Sequence, residues 1–439
     1  MERPKQAVIL AGGRGQRLRP LTDTCPKPMI EFHGKPFLAY LLELLREQGF
    51  ERVLLLLGYL PEVIQRACGD GRQWGLQIHY VVSAVEDDTG RRLKLAAAQV
   101  DPIFCFLYCD NYWPMPFERM WRQYTDTGVE GLLTVYRNRD RYTRDNVRVD
   151  HAGFVVAYDK ERTAADLQGV DIGFGIFRRE VLDLLPDENV SFERIVYPTL
   201  VAERKLQAFL TDHRYYSVSS HERLAITEAF LARRPTVIVD RDGVLNRKPP
   251  RAQYVRSWEE WEWLPGALDA LRLLTAAGIQ VIVISNQAGI ARGAMTVADV
   301  EAIHQRMVQE IHTAGGRVDA VYYCPHGWEE GCECRKPKPG MLFQAQREFH
   351  LDLSRTPFLG DDERDGQAAE AAGCPWIQVT DNHSLLVVVQ ELLRHDDAMG
   401  GSCRGGSLVG PSSRCGSSHS LSLRVTRPIE AGQALMGEL

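Results

Sequence analysis

The sequence predicts an α/β protein of two successive domains, each a mostly parallel sheet with helices packed on its faces. Three observations carry this reading. Short apolar runs alternate with amphipathic segments. The alternation halts at Arg233-Arg234-Pro235 and restarts at once with a fresh apolar run. At 439 residues the chain is also too long for one ordinary core. The expected boundaries are 1–232 and 235–395, followed by a tail over 396–439.

In the first domain, residues 7–10, 53–57, 78–82 and 103–108 read as strands, with helices over 37–48 and 61–67 between them. A helix over 224–232 closes the domain. Strands follow at 236–239, 281–285, 320–323 and 358–360, with helices at 264–277 and 297–314. From 400 to 420, thirteen of twenty-one residues are Gly or Ser without apolar periodicity. Such a composition cannot bury enough surface to offset chain entropy, so a flexible tail is expected.

The chain is 44% hydrophobic and 25% charged, with a net charge of −6. A mildly acidic balance gives no electrostatic reason to expect nucleic acid as a partner. Apolar runs such as 53–57 fall far short of a membrane span, and nothing at the N-terminus reads as a signal peptide. A cytoplasmic protein with no membrane partner is expected; composition leaves the oligomeric state open. Cys25, Cys68, Cys105, Cys109 and Cys374 are scattered, whereas Cys324, Cys332 and Cys334 cluster with His326. Without an export signal, such a cluster argues for a metal rather than disulfides.

The first strand runs into Ala11-Gly12-Gly13-Arg14-Gly15-Gln16-Arg17-Leu18-Arg19-Pro20, then Cys25-Pro26-Lys27-Pro28-Met29. Glycines after a first strand let the backbone approach a phosphate or base, with amides as donors. Arg14, Arg17 and Lys27 add positive charge beside them. Asp110 ends the strand at 103–108, where ligands of parallel sheets bind.

Over about residues 5–232 this pattern resembles the sugar-phosphate nucleotidyltransferases, whose signature is Gly-Gly-x-Gly-Thr-Arg-Leu-x-Pro-Leu-Thr followed by Pro-Lys-Pro. The resemblance implies a Rossmann-like, GT-A-like domain in which a sugar 1-phosphate attacks the α-phosphorus of a nucleoside triphosphate. It implies nucleobase binding by Leu10, Ala11, Gly12, Gly13 and Gly15, triphosphate contact by Arg17, and charge neutralisation by Lys27. It further implies Mg²⁺ at Asp110 and sugar-phosphate contacts by Lys160 and Asp171. Two departures stand out. Gln16 replaces the usual Thr, and Tyr216-Ser217-Val218-Ser219 replaces an Asp-Val-Gly-Thr segment, so Ser217 occupies the place of a second metal aspartate.

The strand at 236–239 delivers Asp240-Arg241-Asp242-Gly243. Two aspartates at this spacing can face one metal and one phosphoryl group, Asp240 as nucleophile and Asp242 as acid, then base. Ser285 and Asn286 would donate to phosphoryl oxygens, Lys336 would neutralise their charge, and Asp361 would join Asp240 and Asp242 around Mg²⁺. Cys324, His326, Cys332 and Cys334 supply a closed tetrahedral Zn²⁺ set with no open position, hence a structural ion.

Over about residues 235–382 this arrangement is similar to the D-glycero-D-manno-heptose 1,7-bisphosphate 7-phosphatases of the haloacid dehalogenase (HAD) type. The likeness includes Ser285-Asn286-Gln287-Ala288-Gly289-Ile290-Ala291-Arg292-Gly293, the zinc set and Cys334-Arg335-Lys336-Pro337-Lys338-Pro339-Gly340-Met341. It places the family's substrate-recognition arginine on Arg335. Asp362 departs from a common Lys, and the span between the zinc-ligand pairs is short.

Together the two resemblances imply removal of the 7-phosphate from a heptose bisphosphate, then transfer of a nucleotide to the heptose 1-phosphate. Adenylyl transfer to heptose belongs to a different fold, so GTP is the expected donor. Two other readings stay open: a hexose 1-phosphate nucleotidyltransferase joined to a histidinol-phosphate-like or other phosphatase, and a phosphatase regulated by a non-catalytic nucleotide-binding domain.

Overall fold

The computed structural model describes residues 1–399 and 424–426, with side chains through Arg394. Its contacts divide the chain into two compact units, Met1–Ala232 and Arg233–Leu439.

Seven strands form the sheet of the first unit: β1 (Gln6–Ala11), β2 (Arg52–Leu57), β3 (Gln77–Val82), β4 (Ile103–Tyr108), β5 (Gly131–Tyr136), β6 (Val170–Arg178) and β7 (Leu206–Thr211). Their order is β7-β5-β6-β4-β1-β2-β3. Every pairing is parallel except those of β6, which runs against β4 and β5. β1 is buried along its whole length because both faces of the central strand are covered. Ala7, Ile9 and Ala11 pack into one apolar cluster, Val8 and Leu10 into the other. From β1 the chain builds outward through β2 and β3, then returns to place β4 on the other side. That reversal opens a crevice beyond the carboxyl ends of β1 and β4.

The second unit repeats the device. Its strands are β8 (Thr236–Asp240), β9 (Gln280–Asn286), β10 (Ala320–Cys324), β11 (Phe358–Gly360), β12 (Trp376–Gln378) and β13 (Arg424–Thr426). They lie in the order β12-β11-β8-β9-β10-β13, all parallel. Here the reversal falls between β8 and β11. The helix expected from 264 begins instead at Ala267, because Pro265 and a left-handed Gly266 (φ 78°) hold the chain outside helical geometry.

The Gly/Ser-rich stretch 400–420, expected to be flexible, lies outside the described residues. Of the tail beyond 399, only the strand Arg424–Thr426 is described. No helix among the described residues is long and apolar enough to cross a membrane.

Candidate functional sites

At the first reversal, β1 hands the chain to Gly12, and β4 hands it to Asp110. A cleft of about 250 Å³ opens there, with Leu10, Gly12, Gly13, Gly15, Lys27 and Asp110 among its walls. Ala11 stays buried inside β1. Gly15 adopts φ 64°, a conformation glycine enters without a Cβ penalty. At Gly12 the demand is steric: a Cβ would stand 2.3 Å from Arg92 Cζ.

Nothing in sequence spacing singled out Arg92, yet it organises this loop. It is 4% exposed, and its guanidinium donates to the Leu57, Ala84 and Val85 carbonyls at 2.7, 2.9 and 3.2 Å. A fourth bond reaches Ser83 Oγ at 2.8 Å. One buried fork therefore stitches the exits of β2 and β3 beneath the glycines.

The Lys27 ammonium is ion-paired with Asp110. Ser217 lies opposite Asn111 in a two-residue ladder, and the Val218 amide donates to the Asp110 carbonyl at 2.8 Å. The Ser217 and Ser219 hydroxyls are 2.8 Å apart. The segment bonded to the Asp110 backbone thus carries a pair of hydroxyls and no carboxylate, while Asp87 and Asp88 line the cleft together with Asp110. Among the described residues of this unit no three His, Cys, Asp or Glu side chains converge as a metal site.

The other residues singled out in this unit lie outside the walls of that cleft. Arg17 is exposed on the short 3-10 helix Gln16–Leu18. Lys160 Nζ donates to Ser191 Oγ at 2.7 Å and faces Glu193 Oε2 at 3.2 Å. Asp171 accepts from the Gly173 amide at 2.9 Å. Burial pushes the Asp171 carboxyl up to about 6 and that of Glu193 up to about 7. Thr89, which does line the cleft, donates to Glu193 at 3.0 Å.

In the second unit, β8 ends on Asp240, and β11 leads into Asp361. Lys336 Nζ lies 2.7 Å from both Asp240 Oδ1 and Asp365 Oδ1, all three groups being buried. Carboxylate oxygens of Asp240, Asp361 and Asp365 come within 4.8 Å of one another. Burial drives Asp240 up to about 8, the Lys336 charge pulling the other way and Asp365 adding to the rise. Asp361 Oδ1 is buried with no hydrogen-bond partner. Asp240 and Asp365 share the Lys336 ammonium, while Asp361 is ion-paired with Lys248 through Oδ2 at 2.7 Å and leaves Oδ1 facing the cluster. That set fits a divalent cation such as Mg²⁺.

Asp242, expected among the metal ligands, turns its carboxylate elsewhere. It accepts from Arg241 at 3.0 and 3.1 Å, Asn246 at 3.0 Å, Gln287 at 2.9 Å and Ser285 at 3.2 Å. Burial opposes its charge, but Arg241 and the two amides outweigh burial and hold its carboxyl below the ordinary range. Asp365 takes the third place in the carboxylate cluster; the sequence offered only a fourth acidic residue four positions beyond Asp361. Gly243 (φ 96°) is what lets the loop pass: a Cβ there would meet Asp361 Oδ2 at 2.3 Å.

Asn286 also differs from its expected use. Its amide clasps the Lys336 backbone in both directions, Nδ2 to the carbonyl at 3.0 Å and Oδ1 from the amide at 3.1 Å. It aims the lysine. Arg335 donates to the His326 carbonyl at 3.3 Å and lines a cleft of about 890 Å³ together with Asp242, Asn286 and Lys336.

Cys324, His326, Cys332 and Cys334 do converge, with sulfur–sulfur and sulfur–nitrogen separations of 3.2 to 3.6 Å. A disulfide would need about 2.05 Å, whereas a tetrahedral ion with bonds of about 2.3 Å sets its ligands roughly 3.7 Å apart. The spacing fits four ligands of one tetrahedral ion.

Residues 6–157 match the nucleotidyl transferase family, and residues 333–387 match a family described as HAD-hydrolase-like. The D-glycero-β-D-manno-heptose-1,7-bisphosphate 7-phosphatase of Bordetella bronchiseptica is 46% identical over 147 residues, which span 33% of this chain and 81% of that protein. The chain belongs to this phosphatase family. The Escherichia coli K12 heptose bisphosphate phosphatase is 37% identical over 145 residues, 31% of this chain and 74% of its own. The solved structure of HddC from Yersinia pseudotuberculosis is 23% identical, with a TM-score of 0.45, covering 51% of this chain and 98% of that one. A nucleotidyl transferase domain thus precedes the heptose bisphosphate phosphatase domain, and the paired aspartates, Lys336 and the Cys/His shell all belong to the latter.

Proposed function

We propose that this chain performs two consecutive steps of cytoplasmic nucleotide-sugar synthesis. It removes the 7-phosphate of D-glycero-D-manno-heptose 1,7-bisphosphate, then transfers GMP from GTP to the resulting heptose 1-phosphate, yielding GDP-heptose and pyrophosphate. One observation carries the reading: a phosphatase of the heptose bisphosphate family shares its chain with a domain that consumes sugar 1-phosphates. The product of the first is the acceptor of the second. GTP is the proposed donor because the resemblance of the first unit implies a fold other than that of the heptose adenylyltransferases.

In the phosphatase, the Asp240 carboxylate attacks phosphorus and the P–O7 bond breaks, leaving an aspartyl phosphate. Asp242 gives a proton to the departing O7 and then takes one from the water that hydrolyses the intermediate. Lys336, fixed by Asn286, stands against the phosphoryl oxygens. Mg²⁺ at Asp240, Asp361 and Asp365 would offset phosphoryl charge. Zn²⁺ in the Cys₃His shell would be structural and would hold the loop carrying Arg335 and Lys336.

In the transferase, a phosphate oxygen of the sugar 1-phosphate attacks the α-phosphorus, and pyrophosphate leaves. Only positioning and charge neutralisation are required, and Lys27 supplies charge at the cleft. Asp110 is the carboxylate paired with Lys27, and an ion held there would draw further ligands from triphosphate oxygens and water.

The Ser217–Ser219 pair favours one second reading, a first unit that binds nucleotide without transferring it. Incubation with heptose 1-phosphate, mannose 1-phosphate and glucose 1-phosphate against ATP, GTP, CTP, UTP and dTTP separates the readings. Pyrophosphate from GTP with heptose 1-phosphate supports the proposal. Preference for a hexose 1-phosphate overturns the sugar, and binding without pyrophosphate supports the sensor.

A further inference from the structure

The first unit buries a carboxylate that the cleft chemistry above does not use. Glu193 lies in the first turn of the helix Phe192–Ala202 and is 3% exposed. Three donors converge on its Oε2: the Thr89 hydroxyl at 3.0 Å, the Lys160 ammonium at 3.2 Å and the Ser191 hydroxyl. Ser191 stands at the N-cap of the same helix, where a serine hydroxyl ordinarily accepts a backbone N–H. It makes no such bond. Instead it accepts from Lys160 at 2.7 Å and donates to Glu193. The Phe192 amide is taken by the Thr89 hydroxyl at 2.9 Å. The helix gives up its usual cap, and the hydroxyl so released joins a carboxylate to an ammonium.

The two ends of this network differ. Thr89 stands in the wall of the cleft that Gly12, Lys27 and Asp110 also line, whereas Lys160 does not. The Lys160 side chain is 40% exposed, so its ammonium is not sealed in the core. Ser191 and Glu193 take two of its three N–H donors, and the third is open among the described residues. Glu193 is the link that ties this ammonium to the cleft wall.

We propose that Glu193 is a positioning residue for the acceptor of nucleotidyl transfer, fixing the Lys160 ammonium two hydrogen bonds from the cleft wall with one N–H left for the phosphate of a sugar 1-phosphate. This rests on the reading of the first unit as a nucleotidyltransferase in which Lys160 meets the acceptor, and adds what holds that lysine. Only the ionised carboxylate offers the ammonium a charge. Burial lifts the Glu193 carboxyl to about 7, with Asp88 adding to the rise and the Thr89 hydroxyl and Arg194 opposing it. Burial lowers Lys160, and Asp88 opposes that change. Arg194 is itself ion-paired with Glu161, and burial keeps the Tyr197 phenol neutral. The hold on Lys160 therefore weakens as Glu193 takes up a proton below neutral pH.

The test separates acceptor from donor in the full-length chain with Mg²⁺ and GTP, using whichever of heptose, mannose and glucose 1-phosphate turns over fastest. Glu193→Gln keeps the shape and loses the charge. It should raise KM for the sugar 1-phosphate roughly tenfold, the scale of one hydrogen bond between charged groups, and leave KM for GTP unchanged. The ratio of wild-type to Glu193→Gln acceptor kcat/KM should shrink from about pH 8 to about pH 6, because only the wild type loses a charge there. Titration of the sugar phosphate is common to both proteins and cancels. Lys160→Met should raise the acceptor KM similarly, and Glu193→Gln should add little to it, as for two residues acting through one contact. Fluorescence of a labelled GTP shows whether each variant keeps a folded first unit. Should Glu193→Gln fail to bind it, Ser191→Ala should give the same acceptor-selective rise. Equal rises in both KM values, a ratio constant with pH, or additive effects of Glu193→Gln and Lys160→Met overturn the positioning role. A wild type that binds GTP yet releases no pyrophosphate with any of the three sugars overturns the transferase reading, and the role with it.

Discussion

At the scale of single residues, the account rests on charges held where phosphates react. Lys27 is ion-paired with Asp110 in the wall of the first unit's cleft. Lys27→Ala should cost the transferase about 2.7–4 kcal/mol of transition-state stabilisation, the loss expected for one preorganised donor. Pyrophosphate release reads this; phosphate release should not change, and transfer at the wild-type rate would remove Lys27 from the site. His304 makes a second test. It is fully buried, and Arg241 donates to its Nε2 at 3.0 Å, so the ring is held neutral as an acceptor. Burial, with the Arg241 charge beside it, pushes the imidazole down to about 3. An unfolded histidine titrates near 6.5, so below that pH the unfolded chain binds a proton that the folded chain refuses. This contribution lowers stability as pH falls, by about 2 kcal/mol at pH 5. Denaturant unfolding of His304→Gln should show a pH 7 to pH 5 loss smaller by about that amount; an identical loss would contradict it. The placement of Asp240 at a strand end and of the glycines in the loop after β1 was legible because such positions carry a local signature, whereas the turn of the Asp242 carboxylate away from the acidic cluster was not. Arg92, Asp365 and His304 were not, because each acts through partners distant in sequence. Asn286 stood in the right motif, but only its bonds to the Lys336 backbone reveal what it does.

At the scale of elements, the legible strands were the uniform apolar runs at sheet centres, such as β1 and β4, whose two faces are both covered. β5, β6 and β7 went unread: β6 contains Gly173 and Gly175 and runs antiparallel, which only pairing partners specify. The Cys/His loop, proposed to hold zinc, is the element with the sharpest prediction. Its three sulfurs and one ring nitrogen converge, and it carries Trp328 while leading directly into Arg335 and Lys336. Cys332→Ser should lower zinc content and raise the phosphatase KM, because the substrate-binding groups lose their fixed frame. Transferase activity should hold, since that cleft is built wholly from the first unit. Metal analysis of wild-type protein grown in zinc-replete medium comes first. A fully active phosphatase with no bound zinc would contradict the assignment.

At the scale of the whole molecule, each unit places its site where strand order reverses, and each has its own apolar clusters. The chemistry links them in one direction. Nucleotidyl transfer leaves the anomeric C–O bond untouched, so the anomer of the nucleotide sugar is that of the bisphosphate supplied. The most direct measurement of the central claim is mass analysis of products from heptose 1,7-bisphosphate, GTP and Mg²⁺, with wild type and Asp240→Asn side by side. Wild type should yield GDP-heptose, phosphate and pyrophosphate. Asp240→Asn should release no phosphate and form no GDP-heptose from the bisphosphate, yet make it from heptose 1-phosphate at close to the wild-type rate. A wild type that makes no nucleotide sugar, or a folded Asp240→Asn that also fails with heptose 1-phosphate, would contradict the account.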